Sequence, residues 1–130
     1  MHSLGVDIIE IERIEKAVER FGKRFLHRVY TDAELSVCRN KPSRLASRFA
    51  AKEAVMKSLG TGTKGVGWRE IEILHDAKGK PLVSLCGKAR NRAEDLGLGE
   101  LAVSLSDSRD YAVAFVIGET PYSLPFAKGE

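Results

Sequence analysis

Polar and apolar positions along this chain change period several times, and each change marks an element. Residues 4–9, Leu4-Gly5-Val6-Asp7-Ile8-Ile9, are apolar except for one acid and read as a short buried strand. The period then becomes three to four. Ile11, Ile14, Val18, Phe21 and Phe25 fall on one helix face, with Arg13, Lys16, Arg20 and Arg24 roughly opposite and Glu12, Glu15 and Glu19 between. This predicts a first helix with an apolar face, an acidic flank and a basic ridge. Thr31 followed three residues later by Glu34 is the capping-box pattern, so a short helix starts there and ends near Asn40, before Pro42. A long helix follows, with Ser43 available as its cap, and stops after Leu59 at Gly60.

Residues 60–67 form a glycine-rich loop. Residues 69–74 alternate charged and apolar side chains, as a half-exposed strand does. The turn at 76–81 predicts that 82–85 pair back as a hairpin. Residues 88–96 read as a helix closed by Gly97, and 101–105 and 111–117 as two more strands. The tail from 119 to 130 has few apolar anchors and is expected to fray, leaving 1–118 as the domain. This order predicts an α+β domain, a small antiparallel sheet packed with a long central helix.

Composition narrows the picture. The 130 residues fit one domain, and 43% hydrophobic with 30% charged is globular usage, which excludes a disordered or fibrous chain. No stretch approaches the ~18 apolar residues of a membrane span. No basic start with an apolar run opens the chain, so the expectation is a cytoplasmic protein that does not sit on a membrane. Twenty-one Lys and Arg against 18 Asp and Glu leave a net charge of +3, too mild for a nucleic-acid arm but suited to an anionic ligand or partner. Cys38 and Cys86 lack C-x-x-C spacing and read as free thiols.

Two acids sit where a core would not want them. Asp7 interrupts the first strand. On the long helix Leu45, Phe49, Met56 and Leu59 form the apolar face, with Lys52 inside that arc and Glu53 at its edge. A buried carboxylate is costly unless paired, hydrogen-bonded or bound to a metal. Two carboxylates with open positions suit Mg²⁺, which takes oxygen ligands and keeps waters beside substrate phosphates. The competing reading is that Asp7 caps a neighbour and Glu53 pairs with Lys57 at i+4. The glycine loop follows a helix C-terminus, so it is neither a P-loop nor a dinucleotide fingerprint. Alone it is a flexible connection; with Arg48, Lys57 and Lys64 nearby it suggests a cationic phosphate pocket. His2, His27 and His75 read as solvated surface groups. No Ser/His/Asp or Cys/His set is arguable, and Ser104, Ser106 and Ser108 read as turn and sheet polar groups. The basic ridge is either a solvated face or a dock for an acidic helical partner, whose affinity would fall with salt.

Taken together, the chain resembles the holo-[acyl-carrier-protein] synthases, the short single-domain type of 4′-phosphopantetheinyl transferase. The opening Gly5-Val6-Asp7-Ile8-Ile9-Glu10-Ile11-Glu12-Arg13-Ile14 looks like that family's first motif. Arg48-Phe49-Ala50-Ala51-Lys52-Glu53-Ala54, followed by Lys57 and Gly60-Thr61-Gly62, looks like its second. Gly79-Lys80-Pro81 and the closing strand pair, Val103 to Ser106 and Tyr111 to Ala114, also resemble it. The likeness runs from Leu4 to Ile117.

The resemblance implies transfer of the phosphopantetheine arm of coenzyme A to a serine of apo acyl carrier protein, with adenosine 3′,5′-bisphosphate as the other product. It implies that Asp7 and Glu53 bind Mg²⁺; residue chemistry adds Glu53 or a metal-ordered water as base and Lys57 reaching the same phosphates. It further implies a homotrimer with coenzyme A between adjacent subunits. Arg48, Lys57, Gly60, Gly62, Lys64, Gly79, Lys80, Pro81, Ser106 and Arg109 would then bind coenzyme A, Lys80 from the neighbouring subunit. Arg13, Arg20 and Arg24 would grip the acidic carrier protein. Two positions depart from the family: Asp107 stands where a histidine is usual, and Met56 where many relatives have a small polar residue. The main competitor is a noncatalytic module that binds acidic carrier proteins or RNA; it explains the basic ridge but not the two acids.

Overall fold

Alternation along the first strand decides how the molecule is layered. A computed structural model describes residues 2–120 of the 130. Strand β1, His2–Glu10, pairs antiparallel with β5, Tyr111–Glu119, which pairs on its other edge with β4, Leu101–Asp107. Gly5, Asp7 and Ile9 face inward beside Val116, Ala114 and Ala112. Val6 and Ile8 therefore face out, as does Leu4, and are 54%, 61% and 55% exposed within one chain. The strand is longer than its apolar core, and only one of its faces is buried.

Helix α1, Ile11–Phe21, follows directly, but the predicted single helix breaks at Gly22, where φ is +57°, a conformation L side chains rarely adopt. A second helix, α2, Lys23–Val29, carries Arg24 and Phe25. The basic ridge is thus spread over two helices, and Phe21 is left exposed at the end of α1. Helix α3, Asp32–Cys38, has the predicted capping box: Glu34 N–H donates to the Thr31 hydroxyl and Thr31 N–H to Glu34 Oε1.

Helix α4, Pro42–Leu59, is the central element. Ser43 does not cap it; Pro42 occupies its first turn, where the missing N–H costs nothing. Leu45, Ala46, Ala50, Ala51, Ala54, Val55, Met56 and Leu59 are all buried, because the sheet covers one side and other elements the rest. Alanines let the sheet approach closely. At Gly5 the approach is extreme: a Cβ there would lie 1.9 Å from the Ala54 carbonyl oxygen. The glycine-rich segment after Gly60 forms a short helix, α5, Gly62–Gly65, where a flexible connection was the expectation. A 3₁₀ turn, Trp68–Glu70, leads into β2, Ile71–His75, which pairs with β3, Pro81–Leu85, as the predicted hairpin. This hairpin is a second sheet of two strands, separate from the first. Helix α6, Gly87–Asp95, precedes β4. Of the tail expected from 119, Glu119 instead closes β5 opposite His2, and residues 121–130 lie outside the described residues. Among the described residues no helix is long and apolar enough to cross a membrane. Cys38 is buried, Cys86 is exposed, and both are free.

Candidate functional site

Two faces of α4 carry the polar chemistry. On the first, β1 brings Asp7 against Glu53. Lys57, one turn beyond Glu53, donates from Nζ to Asp7 Oδ1 at 3.2 Å and to the Val6 carbonyl at 3.0 Å. Its ion pair is therefore across elements with Asp7, not along the helix with Glu53. The Asp7 side chain is 13% exposed, and its Oδ2 is buried without a hydrogen-bond partner. Burial pushes the Glu53 pKa up, and its interaction with the neighbouring Asp7 carboxyl pushes it further. Lys57 and Arg13 oppose that rise. The Glu53 carboxylate is thus disfavoured by its burial beside the Asp7 charge. A shared proton or a cation between them supplies what the orphaned oxygen lacks.

This donor set fits a hard divalent ion. Mg²⁺ is usually held by one or two carboxylates and completes its shell with water and phosphate oxygens. Among the described residues no cluster of three or more His, Cys, Asp and Glu forms a full protein cage. Two acids and an orphaned oxygen match the open kind of site.

The second face of α4 borders a cleft of about 760 Å³ between α4, the end of β2, the start of β3 and the end of β4. Arg39, Arg44 and Arg48 line it against one acid, Asp107. Of the sequence-predicted ligand residues, Arg48, Gly79, Pro81 and Ser106 meet here. Arg48 is held rather than free. Its Nε donates to the Ile73 carbonyl at 3.1 Å, Nη1 to the Arg44 carbonyl and Nη2 to His75 Nδ1, both at 3.4 Å. Lys80 sits in the hairpin turn, where its N–H and that of Lys78 donate to Asp76 Oδ1. Gly60 ends α4, and Gly62 and Lys64 lie on α5. Arg109 does not line this cleft; it borders another cavity, of about 430 Å³, among Glu10, Glu12, Glu15 and Asp110.

Arg39, Arg44 and His75, which is exposed as expected, also line the cleft, and sequence reasoning did not place them there. For His75 a signal existed: it continues the i, i+2 parity of Ile71 and Ile73, both fully buried, so it belongs to the same side of β2. The two arginines carry no such signal, since only the packing of α3 and α4 turns them toward the cleft.

Arg13 and Arg20 lie on α1 and Arg24 on α2. Arg13 acts on Glu53, so the basic ridge begins at the carboxylate pair. The Arg20 guanidinium lies 5.2 Å from the ring centre of Phe21. Arg24 borders a hollow of about 340 Å³ with Phe21, Phe25 and Arg28.

The family profile of the 4′-phosphopantetheinyl transferase superfamily matches residues 3–116. A holo-[acyl-carrier-protein] synthase of Herpetosiphon aurantiacus is 53% identical over 121 residues, covering 88% of this chain and 95% of that protein. The structure of the Neisseria meningitidis holo-[acyl-carrier-protein] synthase superposes with a TM-score of 0.83 at 39% identity, covering 91% of this chain and 98% of the other. That of the Helicobacter pylori enzyme in complex with coenzyme A gives 0.82 at 34% identity, covering 89% and 99%. Likeness of this extent, over the same strand and helix that bring Asp7 to Glu53, means that the chain belongs to the 4′-phosphopantetheinyl transferase superfamily and, within it, to the holo-[acyl-carrier-protein] synthases.

Proposed function

We propose that this chain transfers the 4′-phosphopantetheine arm of coenzyme A to a serine hydroxyl of apo acyl carrier protein. The observation that carries the reading is the Asp7–Glu53 pair with its orphaned oxygen and adjoining Lys57. A relative with bound coenzyme A supports the donor. The serine oxygen forms a bond to the phosphorus that bears pantetheine. The bond from that phosphorus to the bridging oxygen breaks, and its electron pair leaves on adenosine 3′,5′-bisphosphate. Asp7 and Glu53 would hold Mg²⁺, which supplies Lewis-acid neutralisation of diphosphate charge when bound. Glu53, whose pKa is pushed up, or a metal-ordered water would take the serine proton. Lys57 adds a fixed positive charge for the departing phosphate. A noncatalytic binder of acidic partners would leave the carboxylate pair unexplained.

The exposed sheet face supports self-association. Leu4, Val6 and Ile8 on β1 stand beside Phe115 on β5, a contiguous apolar surface that a soluble monomer rarely exposes. Glu53 and Arg48 lie five residues apart on α4, about 140° around its axis. One chain thus splits its carboxylate pair from its arginine cleft. A homotrimer in which neighbouring chains bring one's pair to the other's cleft would rejoin them around coenzyme A. The acidic carrier protein would dock on Arg13, Arg20 and Arg24, with exposed Phe21 against its apolar face. Free Cys38 and Cys86 suit the reducing cytoplasm.

The test is conversion of an apo carrier protein by coenzyme A and Mg²⁺, read as the mass added to the carrier. Glu53→Gln and Asp7→Asn should each lose at least a hundredfold in rate, and chelation should abolish the wild-type reaction. A folded variant with full activity would remove the carboxylates from the mechanism.

A further inference from the structure

The cleft beside Arg48 contains a group that neither the fold nor the charge pattern required. His75, the last residue of β2, is exposed and lines it. Its Nδ1 lies 3.4 Å from Arg48 Nη2. An arginine has only donors, so the imidazole nitrogen must be the acceptor. A ring that accepts at Nδ1 is neutral and carries its proton on Nε2. An Nδ1 that accepts from Arg48 leaves Nε2–H as the ring's donor.

Arg48 itself is pinned at three of its five N–H groups. One N–H on each of Nη1 and Nη2 remains. Arg48 as a residue is only 7% exposed, and its three hydrogen bonds present these donors in one fixed orientation. Arg39 and Arg44 add positive charge on the same wall, while Asp107 disfavours an anion on its own side.

We propose that His75 is a ligand-binding residue of this cleft, a neutral imidazole whose Nε2–H donates to a phosphate oxygen of coenzyme A beside the spare N–H groups of Arg48. The inference rests on the reading that the cleft receives coenzyme A. Coenzyme A has two sources of such an oxygen, the 3′-phosphate and the diphosphate.

The experiment is steady-state kinetics of the full-length protein with coenzyme A and with 3′-dephospho-coenzyme A, using apo carrier protein at saturation. The variants are His75→Ala, His75→Asn, His75→Gln and Arg48→Ala. Glutamine places an amide N–H near the position of Nε2. Asparagine places its carbonyl near that of Nδ1, keeping the hold on Arg48 without the outward donor. Loss of one hydrogen bond to a charged acceptor predicts that His75→Ala raises KM for coenzyme A about tenfold, with kcat changed less than about twofold. His75→Asn should match alanine, and His75→Gln should stay within about threefold of wild type. If the acceptor is the 3′-phosphate, the alanine effect disappears with the dephospho substrate; if the diphosphate, it persists, and either result supports the assignment. Wild-type KM in His75→Asn with a raised KM in His75→Gln would mean that the ring merely braces Arg48. An unchanged KM in His75→Ala, with a raised KM in Arg48→Ala, overturns the inference and leaves the cleft assignment standing. No change in either variant overturns both.

Discussion

Lys52 and Glu34 form an ion pair in the core, and breaking it should reveal how much of the fold hangs on one contact. Nζ and Oε1 are 2.8 Å apart, and both side chains are 0% exposed. Each has further partners. Lys52 donates to the carbonyls of Trp68, at 3.0 Å, and Ile71. Glu34 accepts from Ile73 N–H at 2.7 Å and Thr31 N–H at 2.8 Å. The pair ties α3, α4 and the free edge of β2 together. Removing one member of a buried pair leaves an uncompensated charge, at a cost of about 3–5 kcal/mol. Lys52→Met should therefore lower the melting temperature by about 10–15 °C in a domain of this size. Glu34→Gln should cost a similar amount. The double variant leaves neither charge, so it should cost no more than either single one, a coupling of about 3 kcal/mol or more. Burial already lowers the Lys52 pKa from its ordinary 10.5, while Glu34 raises it back. In Glu34→Gln that support is gone and the folded value drops further. The unfolded chain then binds more protons between the two values, so the stability of this variant should rise with pH across that window. Urea and thermal unfolding at fixed protein concentration measure all three variants. Costs that add within about 0.5 kcal/mol would refute the reasoning, because independent side chains do not share an unpaired charge.

Three further predictions concern the surroundings of the site. Gly5→Ala should cost about 2–3 kcal/mol and most of the activity, since its Cβ meets the Ala54 main chain and can fit only if β1, carrying Asp7, moves off α4; normal melting and turnover would show that the approach does not matter. Val6→Glu, placed opposite Phe115 on the exposed sheet face, should give a monomer by light scattering, and an unchanged mass would place the subunit contact elsewhere. Glu70 accepts N–H bonds from Gly67 and Ala89, which hold its pKa below the ordinary 4.5. Its stabilising contribution is present above 4.5 and lost as pH falls through the depressed value, so the melting difference between wild type and Glu70→Gln should be larger at pH 7 than at pH 3; a constant difference would contradict this.

What the sequence made legible was periodicity and its violations. Spacing alone marked α4, the hairpin, both closing strands and the capping box of Thr31 and Glu34. Less visible was anything set by a partner distant in sequence. Gly22 broke the first helix because one residue adopted a positive φ, which a face pattern of three and four does not register. Val6 and Ile8 looked buried because a strand's apolar residues carry no mark of which face a sheet will cover. Glu34 announced itself as a cap, yet its other oxygen holds Ile73 and its charge holds Lys52. The sharpest case is the pair of neighbours Lys52 and Glu53, both polar residues at or beside the apolar arc of one helix and equally anomalous on a wheel. Their difference lies wholly in tertiary partners. Lys52 meets a carboxylate and two carbonyls, so its charge is answered within the chain and the anomaly is structural. Glu53 meets another acid with an orphaned oxygen, and Lys57 and Arg13 offset that only in part, so the pair is left open to something from outside. An unbalanced polar group at the edge of a well-packed core is what separates a binding site from a brace, and that balance can be drawn up only once distant partners have met.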